Sequence, residues 1–360
     1  MTKKIQVAVL YGGKSTEHEV SVHSAQSVCQ ALVACGKYDV KHIFIDKQGF
    51  WFLQQTCREA TAEDVDVTPV LDKQGTLWVA STGEFMRPDV FFPVLHGLNG
   101  EDGTLQGLLE CLDVPYVGCG VLASAMGMDK EVSKIAALQK GVDTLPYYKL
   151  SRTQAYDKQA LQDWAAETGY PVFVKPVRLG SSVGVSKVKS VHQLHEAIDF
   201  AFRFDSDVLV EKGLESPREI FCALLGNAEN LQVSECGELK SLQSEFFDYQ
   251  AKYITAGGCE TRVPADIALP VREQIRQASA QVFKALRCSG LARADFLVDK
   301  NGKAWFSEIN TLPGMSDTSL FPQLFAAAGV AYADILDRLI ALAVQTWQEK
   351  QTLRLEKDHD

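Results

Sequence analysis

The sequence predicts a chain of mixed α/β and α+β character in three units, the first an open parallel sheet flanked by helices. Three observations carry this. The chain is 360 residues long, which at roughly 100 to 200 residues per domain means two or three domains. It opens as strand, Gly-rich loop and helix, the start of an open α/β sheet. Beyond residue 215 the β-rich runs crowd together without the regular alternation of the first part.

In order, residues 4–10 (KIQVAVL) form a β-rich run and YGGKSTEHEVS a Gly-rich turn. Residues 21–35 repeat apolar side chains at helical spacing, with Gly36 placed to cap the helix. Strands are expected at 38–45 and 89–95, and the segment HGLNGEDGTLQGLLE turns helical near Thr104. That segment resembles the loop at the carboxyl edge of a parallel sheet, where α/β domains bind ligands. A helical run, SAMGMDKEVSKIAALQKGV, ends at Gly141, and Pro146 starts an extended segment. The first boundary is expected near residue 122. The second unit, 123–215, reads as helix 158–168, strand 171–175, Gly/Ser loop, strand 185–188, helix 191–203 and strand 207–211. The third, 216–360, carries β-rich runs at 218–225, 232–239, 291–298 and 303–308, and helices at 271–286 and 332–347. Residues 241–262 have neither period, and a loop of that length is usually a functional lid or disordered.

Composition narrows the function classes. Apolar residues make up 46% and charged residues 23%, enough for packed cores and no case for disorder. A net charge of −10 argues against a partner bound by phosphate neutralisation, so no nucleic acid is expected. The nine cysteines are odd in number, spread along the chain and without a CxxC spacing, which suggests reduced thiols in the cytoplasm. The first apolar run is too short for a signal peptide, and no stretch approaches a membrane span. His23 and His42 are given no role.

Two segments carry chemistry. In PVFVKPVRLGSSVGVSKV a strand ends in Lys175-Pro176 and a loop with Gly180, Ser181, Ser182 and Gly184 follows. Backbone amides there can surround phosphate oxygens while Lys175 adds a point charge. A plain hairpin turn is the alternative, and neither a P-loop nor a dinucleotide fingerprint is present. In GLARADFLVDKNGKAWFSEINTLPG, Asp295 lies on one β-run, a turn falls at Asn301-Gly302, and Glu308 and Asn310 lie on the next. Glu308 and Asn310, two apart on a strand, share a face, and Arg293 shares the face of Asp295. Such hard oxygen ligands suit magnesium. A solvated hairpin face is the alternative, but the surrounding Phe296, Leu297, Trp305, Phe306 and Ile309 favour a cleft.

Together, Lys175 and its loop, the VLVEKGL segment, and Asp295, Glu308 and Asn310 resemble an ATP-grasp enzyme, in which two α+β lobes hold ATP. The motifs GGKSTEHEVS, FPVLHGLNGEDGTLQG, SAMGMDK, KPVRLGSSVGVSKV, FFDYQAKY, ARADF and EINTLPGMSDTSLFP occur in the order seen in D-alanine:D-alanine ligases, over residues 5–345. The resemblance implies a Rossmann-like first domain (1–122), a central domain (123–215) and a C-terminal domain (216–360) with the lid. It also implies ligation of two D-alanines through an acylphosphate, with release of ADP and phosphate, for peptidoglycan; relatives use D-lactate or D-serine as second substrate.

By the same resemblance, Lys130 and Lys175 hold ATP phosphates, Glu211, Lys212 and Leu214 line the adenine slot, and Glu219 binds the ribose, although one extra residue stands before Glu219. Asp295, Glu308 and Asn310 hold two magnesium ions, for which manganese can substitute. Arg293 and the Gly314 amide stabilise an oxyanion. Glu17 meets the first substrate's ammonium, with His96 nearby. Glu17, Ser181 and Tyr253 form a hydrogen-bonded triad, and Lys252, Ser319 and Leu320 meet the second substrate, with Tyr253 like the dipeptide-forming members. His18 and Gly127 depart from the family pattern at positions given no role. A homodimer without membrane partners is implied.

Overall fold

The first apolar run becomes β1 (Ile5–Gly12), buried on both faces along most of its length, followed by α1 (His18–Ala34) and β2 (Tyr38–Ile45). Gly36 takes the left-handed conformation just past the helix end, as expected of a capping glycine. In the computed structural model, which describes residues 3–241 and 259–353, four short strands then follow. They are β3 (Trp51–Gln54), β4 (Val65–Pro69), β5 (Leu77–Val79) and β6 (Glu84–Met86), ahead of β7 (Val90–Pro93). The first sheet has the order β6-β5-β4-β3-β2-β1-β7. Its β2-β1-β7 part is the parallel sheet expected, while β3 to β6 extend it antiparallel. The strands of that extension were not among those expected from the sequence.

After α2 (Thr104–Cys111), the single helical run expected near residues 124–142 is two helices, α3 (Val121–Met128) and α4 (Lys130–Leu138). Asp129 between them is extended, and its carboxylate accepts from the Glu131 and Val132 amides, an N-cap that starts the second helix. The next sheet comprises β8 (Tyr147–Ser151), β9 (Val172–Pro176), β10 (Ser186–Val188) and β11 (Asp207–Lys212), in the order β10-β9-β11-β8. One face is covered by α5 (Lys158–Thr168) and α6 (Val191–Ala201) through Leu161, Leu194 and Ile198.

The last sheet has the order β14-β13-β12-β15-β16, formed by β12 (Arg218–Gly226), β13 (Gln232–Ser241), β14 (Cys259–Arg262), β15 (Gly290–Val298) and β16 (Ala304–Asn310). α7 (Leu269–Ala285) backs it, and α8 (Leu320–Ala326) and α9 (Tyr332–Gln351) pack between it and the first sheet. Two packing features cross the boundaries read from sequence. Val7, Val9 and Val28 share one core with Phe221, Phe325 and Leu339, so the first and third units are joined by a common interior. Ala123 and Ala137 pack with Phe306 and Ile309, so α3 and α4 lie on the last sheet. Gly127 permits this: a β-carbon there would come within 2.9 Å of the Thr311 methyl. Among the described residues no helix is long and apolar enough to cross a membrane.

Candidate active site

The uncovered face of the β9–β11 sheet looks across a cleft at the β12–β15–β16 face. The cleft has a volume of about 1190 Å³ and is lined by Lys130, Lys175, Ser181, Glu211, Leu214, Glu219, Asp295 and Glu308, among others. That is above the usual range for a small-molecule site and ample for a nucleotide.

One wall comes from antiparallel pairing. Lys175 on β9 pairs with Leu209 on β11, so Glu211 sits diagonally across on the same face. The Lys175 ammonium donates to Glu211 Oε2 at 2.5 Å. Lys212, the next residue of β11, turns its side chain to the other face by strand alternation, so it would meet a nucleotide through its backbone. The Gly/Ser loop between β9 and β10 is braced by Arg178, whose amide donates to Asp205 Oδ2 at 2.8 Å and whose guanidinium reaches Asp205 and Asp207. At its tip Ser181 and Ser182 have φ of 52° and 58°. Two successive non-glycine residues in the left-handed region are strained, a feature concentrated at ligand-binding loops.

The facing wall is set by a bulge. On β15 and β16 the pairing shifts between Asp295 opposite Glu308 and Phe296 opposite Phe306, so Ser307 is the extra residue. Arg293, Asp295, Glu308 and Asn310 therefore gather on the cleft side. Arg293 donates to both Asp295 oxygens at 2.7 and 2.6 Å and stacks on Phe221, 5.2 Å from the ring centre. Asn310 Nδ2 donates to Asp295 at 3.0 Å. Each carboxylate thus already sits opposite a cation: Arg293 on Asp295, and Lys130 on Glu308 at 3.1 Å.

Helix α4 ties the walls together with two lysines one turn apart. Lys130 Nζ donates to the Leu179 carbonyl at the start of the Gly/Ser loop, 2.6 Å away, as well as meeting Glu308. Lys134, wholly buried, meets Glu211 Oε1 at 2.6 Å and donates to the Phe306 carbonyl at 3.4 Å. Burial pushes the Lys134 ammonium below its ordinary pKa, against the pull of Glu211. Burial would raise Glu211, but the two ammoniums outweigh it and hold its carboxyl below the ordinary value. Sequence reasoning named Lys130 and Glu211 and missed Lys134. The available signal was a lysine four residues after Lys130, on the helix face that also carries Ser133 and Ala137.

A smaller corner opens where the first unit meets the others. Glu17, at the N-terminus of α1, accepts a short hydrogen bond from Ser181 Oγ. Gly97 approaches Glu17 so closely that a β-carbon would lie 3.0 Å from its carboxylate oxygen. His96 is buried, its Nδ1 2.9 Å from the Leu312 carbonyl; burial lowers its pKa and Glu17 works against that. Glu101, half-buried and given no role by sequence, accepts from the Gly97 amide at 2.8 Å and the Leu312 amide at 3.1 Å. Burial first and Glu17 second push its carboxyl up to about 8. The loop after β16 completes the corner: Ser319 Oγ accepts from the Ser316 amide at 3.1 Å and would lie 3.0 Å from a β-carbon at Gly314, with Leu320 opening α8. Tyr253 and Lys252, the remaining expected residues, lie outside the described residues.

A glycine-containing phosphate-type loop facing a carboxylate and amide cluster across two α+β lobes defines an ATP-grasp enzyme. Comparison with known proteins gives the family. The family D-ala D-ala ligase N-terminus matches residues 6–119 and D-ala D-ala ligase C-terminus matches residues 137–341. A D-alanine--D-alanine ligase of Caldicellulosiruptor bescii is 42% identical, covering 99% of both chains. D-alanine--D-alanine ligase A of Escherichia coli K12 is 39% identical over 95% of this chain and 96% of that one. Among solved structures, the D-alanine-D-alanine ligase from Coxiella burnetii superposes with a TM-score of 0.86 at 34% identity, covering 97% of each chain. The VanG D-Ala:D-Ser ligase from Enterococcus faecalis gives 0.84, also at 34%, over 95% of this chain and 100% of that one. The chain belongs to the D-alanine–D-alanine ligase family.

Proposed function

We propose that the protein joins two D-alanines into D-alanyl-D-alanine, converting ATP to ADP and phosphate, for peptidoglycan synthesis. The observation that carries this is the meeting of three parts at one place: the Lys130/Lys175 wall, the Asp295/Glu308/Asn310 wall and the Glu17/His96 corner. A carboxylate does not condense with an amine near neutral pH, because oxide would have to leave. Transfer of the γ-phosphoryl group to the first D-alanine's carboxylate gives an acylphosphate, which the second amine attacks before phosphate departs.

In this reading Lys130 and Lys175 bind phosphates, the Gly/Ser loop covers them, Glu211, Lys212 and Leu214 bound the base and Glu219 the ribose. Glu17 receives the first D-alanine's ammonium beside His96. Arg293, fixed by Asp295 and Phe221, and the Gly314 amide stabilise the oxyanion of the tetrahedral intermediate. Ser319, Leu320 and Lys252 receive the second substrate, and Tyr253 joins Ser181 and Glu17. Asp295, Glu308 and Asn310 are hard oxygen donors on one face, a set that fits magnesium or manganese. Two such ions would supply neutralisation of the phosphate charge. We place the enzyme in the cytoplasm, where ATP is available, as a homodimer.

The test is product identification. With ATP, magnesium and D-alanine, mass spectrometry should find D-alanyl-D-alanine, and no dipeptide from L-alanine. Glu308→Gln should abolish turnover while melting as a folded protein; unchanged turnover would refute its place at the metal.

A further inference from the structure

Away from the cleft, among the described residues, one grouping of side chains has the chemistry of a metal site. Cys29 on α1, His42 on β2 and Cys57 in the segment after β3 bring two sulfurs and a ring nitrogen within 4.8 Å of one another. None takes part in the ligase chemistry. We propose that Cys29, His42 and Cys57 bind one thiophilic divalent cation of the zinc class.

The ligands are held in place by contacts that do not involve an ion. Cys29 is buried on the inner face of α1. Gln26, on the same helix, donates from Nε2 to the Cys57 carbonyl at 3.0 Å. The neighbouring Arg58 is gripped by both oxygens of Asp64, at 3.0 and 2.6 Å, which pins the segment from the other side. Gln54, opposite His42 in the sheet, donates from Nε2 to Asp64 at 2.7 Å, so the strand beside the imidazole is anchored to the same carboxylate as Arg58.

The sulfur spacing stands nearer to that of an ion than to that of a disulfide. The sulfurs are 3.2 Å apart; a disulfide needs about 2.05 Å, and two thiolates on tetrahedral zinc, at about 2.3 Å each, stand roughly 3.8 Å apart. An adjustment of about 0.6 Å reaches the second, against about 1.1 Å for the first. A disulfide has no use for the imidazole, whereas sulfur, sulfur and nitrogen with an open fourth position are a zinc donor set. Two other thiol pairs, Cys222 with Cys236 and Cys119 with Cys288, are also close but belong to no such group of three among the described residues. His42 and Cys57 are half-buried, which leaves an entry path.

The experiment is titration of the full chain, reduced with a phosphine and free of nucleotide, with cobalt(II) as a spectroscopic stand-in, followed by displacement with zinc. One equivalent should produce thiolate-to-cobalt charge transfer, a band that oxygen ligands at the ligase site cannot give, and zinc should raise the melting temperature. Cys57→Ser should lose the band and the zinc-dependent shift. His42→Gln should weaken binding about tenfold or more. Cys222→Ser should change neither, and metal-free melting of each variant verifies folding. Three results would overturn the proposal: no charge transfer at one equivalent, a band that survives Cys57→Ser, or a reduced protein that takes no ion while the untreated one is lighter by the two hydrogens of a Cys29–Cys57 disulfide.

Discussion

Lys134 is the residue on which the cleft's construction turns. A lysine with no exposure costs several kcal/mol in desolvation unless paired. Here it is paired with Glu211, whose other oxygen is taken by Lys175. Replacing it with methionine fills the space but leaves Glu211 buried with one cation. We expect Lys134→Met to lose about 3 kcal/mol in urea unfolding and to raise the KM for ATP more than that for D-alanine. A loss under about 1 kcal/mol with both KM values unchanged would mean the pair is dispensable. Glu101 gives a second expectation. Its folded pKa lies above its unfolded one, so between those values the folded state holds the extra proton. Stability should therefore be fully present at acid pH and fall as pH rises toward about 8. Glu101→Gln should flatten that limb of a pH series of ligand-free melts; an unchanged slope would show that the carboxyl does not titrate there. At this scale Lys175, Glu211, Asp295 and Glu308 were legible because each sits in a motif whose chemistry can be named. Lys134 and Glu101 were not, since the importance of each lies in what the fold packs around it, which no spacing displays.

At the scale of elements, the cleft depends on how α3 and α4 ride on β16. Gly127→Ala would press its methyl against Thr311, and overpacking of this kind costs about 1–3 kcal/mol. Thr311→Ser, which removes that methyl and keeps the hydroxyl, should recover part of the loss in a double-mutant cycle; strict additivity would refute the contact. β1, β2 and α5 were readable from sequence because period and caps agree. The extension β3 to β6 was not, because strands of three to five residues, two of them carrying an exposed acid, show too few repeats for a period. The break at Asp129 was hidden for another reason: helical spacing continues on both sides, and only the cap interrupts it.

For the whole molecule, the negative charge of the chain does not describe the cleft, where Lys130, Lys134, Lys175 and Arg293 converge. Three successive units could be read along the chain, yet the core that joins the first and third could not, because it is made by residues hundreds of positions apart. That joint core places Glu17 and His96 within reach of the β16 loop, and so creates the corner in which ligation is proposed. The most direct test of that account is a coupled ADP-release assay with D-alanine alone, and with D-alanine paired with D-serine or D-lactate. The account predicts full ADP release from D-alanine as sole amino acid, with D-alanyl-D-alanine as product. ADP release only when D-serine or D-lactate is added would contradict it.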